Sequence, residues 1–185
     1  MLGCLGVQVE VSMKPTDVKS GLTIDALKAA LHYDAETGKF SWLDGSTKST
    51  GHLLYVNKTK ENPYLLLALL GRNYLCHRLA WFYMTGSWPK EMLDHINGIK
   101  ADNRFCNLRE ATRGQNGANR HSLARHNTSG FRGVSPRKEN GKWRATIRDG
   151  KKIKSLGTFT TKEEAKAAYD AAFREKYGEF ANTSI

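Results

Sequence analysis

The spacing of hydrophobic and polar residues changes several times along this chain, and each change predicts a different element. Apolar residues near helical spacing at 21–32 predict a short helix that Thr23 or Asp25 caps. Alternating and short apolar runs at 33–75, separated by turn signals, predict a small antiparallel sheet. These runs are Lys39–Leu43, Leu53–Val56 and Tyr64–Leu70.

An apolar stretch at 77–85 predicts a buried helix that ends at Gly86. The chain then predicts a strand at Asp94–His95, a polar loop, a second strand and a helix. The start of that helix is indicated by a capping box, in which Thr112 is followed three positions later by Gln115.

The C-terminal third predicts three strands and one long helix. Strict alternation between Lys142 and Arg148 places apolar and basic residues on opposite faces of one strand. Asp149-Gly150 is a strong hairpin signal. The flanking strands are predicted at Phe131–Ser135 and Ile153–Phe159, and the amphipathic helix at Lys162–Tyr177, with Thr161 and Glu164 as its capping box.

The excess of basic residues is concentrated in this C-terminal third of the chain. The 185 residues have a formal net charge of +11. Residues 120–185 contain 15 Lys or Arg and 7 Asp or Glu residues. Residues 1–119 contain 14 Lys or Arg and 11 Asp or Glu residues. Such an excess indicates a nucleic-acid partner. A membrane protein is not expected, since no stretch approaches the ~18 apolar residues of a spanning helix.

The cysteines and the N-terminus indicate a cytoplasmic location. Cys4, Cys76 and Cys106 are odd in number and far apart, which argues against a disulfide framework or a zinc ribbon. The N-terminus lacks the basic start and the hydrophobic core of a signal peptide. We expect no obligate protein partner, and the choice between a monomer and a homodimer stays open.

Candidate chemistry lies between Leu93 and Asn116. Asp94 and His95 are followed by several amides, and together these residue types can hold one divalent metal beside one imidazole base, which suits phosphodiester hydrolysis. Taken singly, Asn97, Gly98 and Asn103 are explained by turn chemistry. His77 is similarly explained as a packed histidine.

The spacing of this cluster resembles that of the HNH endonuclease superfamily, in particular the phage and intron homing type, in which asparagines replace the later histidines. The similar residues are His77–Trp81 and Asp94–Asn116. The resemblance implies a ββα-metal unit in which Asp94 and Asn116 bind one Mg²⁺ or Mn²⁺ ion. It also implies that His95 is the general base and that Asn107 orients His95 or holds the loop.

A second resemblance covers residues 129–182, which are similar to the Apetala-two, or ethylene-response-factor, DNA-binding domain. Its blocks are Arg132-Gly133-Val134, Leu156–Phe159 and Ala168-Tyr169-Asp170. The resemblance implies a three-stranded sheet whose basic residues contact duplex DNA. The candidates are Arg132, Arg137, Lys142, Arg144 and Arg148, with Lys152 and Lys154 as weaker phosphate contacts.

Together these patterns predict an α+β chain with four segments. We expect a lead-in at 1–20, a nuclease domain with a small β-rich extension at 21–118, a linker at 119–128 and a DNA-binding domain at 129–185. The predicted function is a metal-dependent homing endonuclease that cuts or nicks duplex DNA. The alternative is a DNA-binding regulator with a silent HNH scaffold. A generic RNA-binding protein is disfavoured because no paired-aromatic stacking motif is present.

Overall fold

A computed structural model describes residues 21–45, 64–150 and 152–185 of this α+β protein. The chain divides into two compact units, the first ending at Thr112 and the second spanning Arg113–Ile185. None of the helices in the described ranges is long and apolar enough to cross a membrane. The predicted lead-in at 1–20 and the predicted strand Leu53–Val56 lie outside the described residues.

The first unit opens with a helix that is shorter than the sequence predicts. Helix α1 (Ile24–Ala30) is capped by Thr23, whose side chain accepts a hydrogen bond from Ala26 N. The chain leaves the helix at Leu31 because this residue pairs with Trp42 in a hairpin of two strands. These strands are β1 (Leu31–Asp34) and β2 (Lys39–Trp42).

A second hairpin and a helix follow. Strands β3 (Leu66–Leu69) and β4 (Arg72–Leu75) pair with each other and lead into helix α2 (Cys76–Thr85). Gly86 ends α2 in the left-handed conformation, with φ of 72°. Among the described strands the two hairpins are separate two-stranded sheets, whereas the sequence predicted one small sheet.

The next elements have the predicted order of strand, loop, strand and helix. Strand β5 (Met92–His95) pairs antiparallel with β6 (Leu108–Ala111) across a loop that contains a 3₁₀ turn at Phe105–Asn107. Helix α3 (Arg113–Ala118) begins directly after Thr112, as the capping-box signal predicts, and belongs to the second unit.

The core of the first unit joins α1, both hairpins and α2. Leu27, Leu31, Leu67 and Leu79 are almost completely buried there. This packing fixes α2, and with it the buried His77.

The second unit contains the predicted three-stranded antiparallel sheet and long helix. The strands are β7 (Val134–Pro136), β8 (Trp143–Asp149) and β9 (Lys152–Phe159), with β8 in the centre. Helix α4 runs from Lys162 to Tyr177, and the predicted capping box at Thr161 and Glu164 is present. Strand β7 starts three residues later than predicted.

One face of this sheet is covered by α4. Ala145 and Ile147 are buried on that face, and the helix buries Ala165, Tyr169 and Phe173. The glycine of the Arg132-Gly133-Val134 block is required by close packing. A Cβ at Gly133 would lie 2.1 Å from the ring of Tyr169. Its φ of 70° also favours glycine.

Candidate functional site

Asp94 and Arg109 form a buried ion pair across strands β5 and β6. Arg109 Nε donates to Asp94 Oδ2 at 3.1 Å, and Arg109 Nη2 lies 3.0 Å from the same oxygen. Only 5% of the Asp94 side chain and 13% of the Arg109 side chain are exposed. The two residues are directly paired in the register, so their side chains share one face of the hairpin. The ion pair therefore fixes the carboxylate next to His95.

His95 is buried at the end of β5, beside an amide that is also buried. Its Nε2 lies 3.2 Å from Oδ1 of Asn103. When Nε2 holds the proton, it donates to Asn103, and Nδ1 is the acceptor nitrogen. Burial lowers the pKa of His95, although the bond to Asn103 and the charge of Asp94 act in the opposite direction. The ring is therefore neutral at neutral pH, which is the form that a general base requires.

A second histidine packs against the first. The ring centroid of His77 on α2 lies 5.1 Å from that of His95, in an edge-on arrangement. Burial and the neighbouring His95 lower the pKa of His77 to about 3, so this ring is neutral as well. The ring of Tyr64 lies near both, with centroid distances of 5.2 Å to His77 and 6.1 Å to His95.

The loop between β5 and β6 is held by its own polar side chains. Asn107 accepts from Asn97 N at 3.0 Å and donates to the carbonyl of Asp102 at 2.8 Å. Asp102 accepts from Asn97 Nδ2 and from two side-chain nitrogens of Arg104, and the bonds from Arg104 are the largest cause that lowers its pKa to about 2. Asn107 thus holds this loop through its side chain, and its part in catalysis stays a prediction.

The first hairpin supports the same loop from outside. The hydroxyl of Tyr33 donates to the carbonyl of Asn103 at 2.7 Å. Gly38, in the turn between β1 and β2, lies so close that a Cβ there would be 2.4 Å from Arg104 N. The backbone of Asn103 is therefore fixed from two sides.

The structure adds two residues to the predicted site. His77 is packed, as the sequence predicts, and the ring that it packs against is His95; Asn103, which the sequence explains by turn chemistry, has its side chain at His95 as well. Each has a buried nitrogen without a hydrogen-bond partner among the described residues, Nδ1 of His77 and Nδ2 of Asn103. Residue spacing is only a weak signal for these two residues, since His77 lies on the preceding helix and Asn103 lies within the loop that follows His95.

The chemistry of the donors favours a hard cation. In the described part of the chain, no three His, Cys, Asp or Glu side chains form a ready-made metal-ligand cluster. A metal here would therefore depend on the Asp94 carboxylate together with amide oxygens, a set that suits Mg²⁺ or Mn²⁺. Asn116 is half-buried on α3 in the second unit, and its role as a ligand stays a prediction.

The second candidate site is the sheet face that α4 leaves uncovered. On strand β8, Arg144, Thr146 and Arg148 alternate with the buried Ala145 and Ile147. Their partners on the neighbouring strands share this outer face. We call it the arginine face, formed by Ser135, Arg144, Thr146, Arg148, Ile153, Ser155 and Thr158.

The other predicted DNA contacts lie at different places around this face. Lys142 is exposed just before β8, and Arg137 forms an exposed ion pair with Glu139 at 3.2 Å. Lys152 and Lys154 pair with Asp149 and Ile147, which places both lysines on the helix side of the sheet. Their contacts with phosphate stay predictions.

Arg132 is engaged within the second unit. Its guanidinium donates to the carbonyls of Ala118 at 2.8 Å and Arg120 at 2.5 Å, and it lies 5.1 Å above the ring of Phe173. Asn182 N also donates to the Ala118 carbonyl, at 3.4 Å. Residues 118–120, at the predicted boundary between the nuclease domain and the linker, are thus attached to the C-terminal domain.

Comparison with known families agrees with both resemblances. Residues 74–118 match the family model described as HNH endonuclease, and residues 129–179 match the AP2 domain, in that order along the chain. The first match includes the Asp94–His95 pair and helix α3. The second includes the whole three-stranded sheet and α4.

A curated relative is similar to this chain. It is the ethylene-responsive transcription factor ERF084 of Arabidopsis thaliana, 44% identical over an alignment of 139 residues that covers 69% of this chain and 54% of the relative. The chain therefore spans about half the length of that protein. No solved structure matches the chain significantly.

Proposed function

We propose that this chain, in which an HNH endonuclease segment precedes an AP2 domain, is a metal-dependent endonuclease of homing type that hydrolyses phosphodiester bonds in duplex DNA. The observation that supports this most directly is the buried pair of Asp94 and a neutral His95 at the end of one strand. The basic C-terminal unit supports DNA as the substrate.

In the proposed reaction, His95 accepts a proton from the attacking water, for which its neutral ring is suited. Asn103 keeps the ring in one orientation through the contact at Nε2. Arg109 holds the Asp94 carboxylate in place. A divalent ion bound at Asp94 and Asn116 would offset charge on the phosphate and stabilise the leaving oxygen.

Substrate binding is proposed for the arginine face. Arg144 and Arg148 are exposed on the outward side of β8 with Thr146 between them, so that their guanidinium groups can contact base edges or phosphates in a major groove. One active site in a monomer would most simply nick one strand, and a dimer could cut both.

A plasmid-nicking assay tests the proposal. We expect open-circular DNA in Mg²⁺ or Mn²⁺, none with chelator, and none with the His95→Ala variant, which should still shift duplex DNA in a binding assay. Cleavage by His95→Ala at the wild-type rate would exclude His95 as the base. The linear fraction separates nicking from double-strand cleavage.

A second candidate function is a DNA-binding regulator with a silent HNH scaffold. It is favoured by the similarity to a protein named as a transcription factor. The same assay discriminates the two functions, provided that the duplex includes a site selected by the protein. Specific binding without cleavage of the selected site, in either metal, would favour the regulator.

A further inference from the structure

Ile153 is an exposed apolar residue in the middle of a polar surface. It is 66% exposed and is the second residue of strand β9. In the register it lies directly opposite Arg148, and the next pair on the same face is Thr146 with Ser155. Arginine and hydroxyl side chains thus surround an aliphatic one on the arginine face.

Its position on the outer face follows from the pairing. Residues directly opposite each other in an antiparallel sheet share a face. Ile147 is buried under α4, so its neighbour Arg148 points away from the helix, and Ile153 points in the same direction. Ile153 therefore does not contribute to the core of the second unit.

The end of this hairpin is also held in place. Lys176 on α4 donates to the carbonyl of Arg148 at 2.8 Å and to Asp149 Oδ1 at 2.6 Å. The χ1 angle of a β-branched side chain such as that of Ile153 is also restricted. The aliphatic group is therefore presented to solvent at a fixed place beside Arg148.

We propose that Ile153 is a specificity-determining residue that contacts the C5-methyl group of a thymine in the major groove. The proposal rests on the proposed binding of DNA to the arginine face. The thymine methyl is the apolar group on the base edges of the major groove, whereas the other edge groups are hydrogen-bond donors and acceptors. An aliphatic side chain gains nothing from phosphates, but it removes apolar surface from water when it packs on that methyl.

Arg148, which is paired with Ile153, determines where on the DNA the Ile153 contact would fall. Arg148 is placed to contact a guanine or a phosphate, so the Ile153 contact would fix the identity of an adjacent base pair. We expect the selected site to prefer thymine at one position.

The experiment uses the full chain with chelator present, so that DNA is bound without being cut. A binding site is first selected from a random duplex library, and each thymine in it is then replaced singly by deoxyuridine, which removes only the methyl group. At one thymine we expect the affinity of the wild-type protein to fall about fourfold, the effect of one buried methyl group.

The matched variants complete the test. Ile153→Ala should bind the thymine site about as weakly as the wild type binds the deoxyuridine site, and it should no longer distinguish the two. Arg148→Ala should still distinguish them. Leu70→Ala, which alters another exposed apolar residue in the first unit, should behave as wild type. Ile153 is exposed, so an unchanged melting temperature is expected and serves as the folding control.

The outcomes separate the two proposals. Specific binding that no deoxyuridine substitution weakens would overturn the role of Ile153 and leave DNA binding intact. So would an Ile153→Ala variant that retains the wild-type sensitivity to the methyl group. If no duplex is bound specifically, the proposed DNA-binding function of the arginine face fails, and the role of Ile153 fails with it.

Discussion

His95, Asn103 and Asp94 illustrate how burial determines the chemistry of individual side chains at the candidate site. Each is 4% exposed or less. The lost hydration lowers the pKa of the His95 imidazole, Asn103 contacts its Nε2, and Arg109 holds the adjacent Asp94 carboxylate in place. A histidine with the same sequence neighbours in an open loop would have neither property.

The contact between Asn103 and His95 predicts a positioning role. We expect Asn103→Ala to lower the single-turnover cleavage rate about 10- to 100-fold, as is typical when a residue that orients a catalytic group is removed. The affinity for DNA should not change, because the variant affects the ring and not the arginine face. Quenched-flow kinetics measures the cleavage rate, and a parallel binding titration measures the affinity for DNA. Equal losses in rate and affinity would contradict this role.

The Asp94–Arg109 pair predicts a large effect on stability. Arg109→Met should lower the free energy of unfolding by about 3 kcal/mol, because it leaves a buried carboxylate without this partner. The control is Arg104→Met, which breaks an exposed pair with Asp102 and should cost less than about 1 kcal/mol. Urea titrations of both variants measure the difference, and similar midpoints would be evidence against a structural role for the buried pair.

At the scale of elements, the first hairpin acts on the site through close packing. The turn between β1 and β2 contacts the backbone at Arg104, and β1 supplies the Tyr33 hydroxyl to Asn103. The β-rich extension is thus a support for the loop that orients His95.

Two glycines with the same backbone conformation test this support. Gly38 has φ of 70° and Gly45 has φ of 69°, but only Gly38 lies against other backbone atoms. Gly45→Ala should lower stability by about 1–2 kcal/mol through left-handed strain. Gly38→Ala should cost clearly more and also slow cleavage, because the loop must move. Equal thermal shifts for both variants would show that the close contact has little effect.

In the second unit, the hydrogen bonds of Arg132 to Ala118 and Arg120 are expected to stabilise the backbone that they contact. Arg132→Met removes two hydrogen bonds to backbone carbonyls, and we expect local stability at residues 118–125 to fall by about 2 kcal/mol. Hydrogen exchange of the amides in this segment measures the change. The control Arg174→Met removes an exposed bond to Thr183 and should leave that exchange unaltered. Unaltered exchange in Arg132→Met would refute the attachment.

At the scale of the whole molecule, charge and candidate chemistry belong to different parts of the chain. The excess of basic residues lies in the C-terminal third, and the Asp94–His95 pair lies in the first unit. Binding and cleavage should therefore be separable by single substitutions.

Salt dependence measures the binding part. If Lys142 contacts only phosphate, Lys142→Ala should weaken binding evenly across sequences and reduce the slope of log K against log salt by about one. If Arg144 or Arg148 contacts a base, its alanine variant should lose about 1–3 kcal/mol on the selected site and less on random DNA. An unchanged specificity ratio in both arginine variants would contradict base contact.

The sequence by itself determined the α+β class, the three-stranded sheet with its long helix, the strand-loop-strand-helix order around Asp94 and the two family resemblances. These features depend on periodicity, capping residues and motif spacing, which are local along the chain. Only the tertiary structure decided that His77 and Asn103 lie at His95, that Gly38 supports their loop and that Arg132 attaches residues 118–120. Each of these depends on contacts between distant segments or on the direction in which a side chain leaves its loop, and residue spacing alone does not specify either.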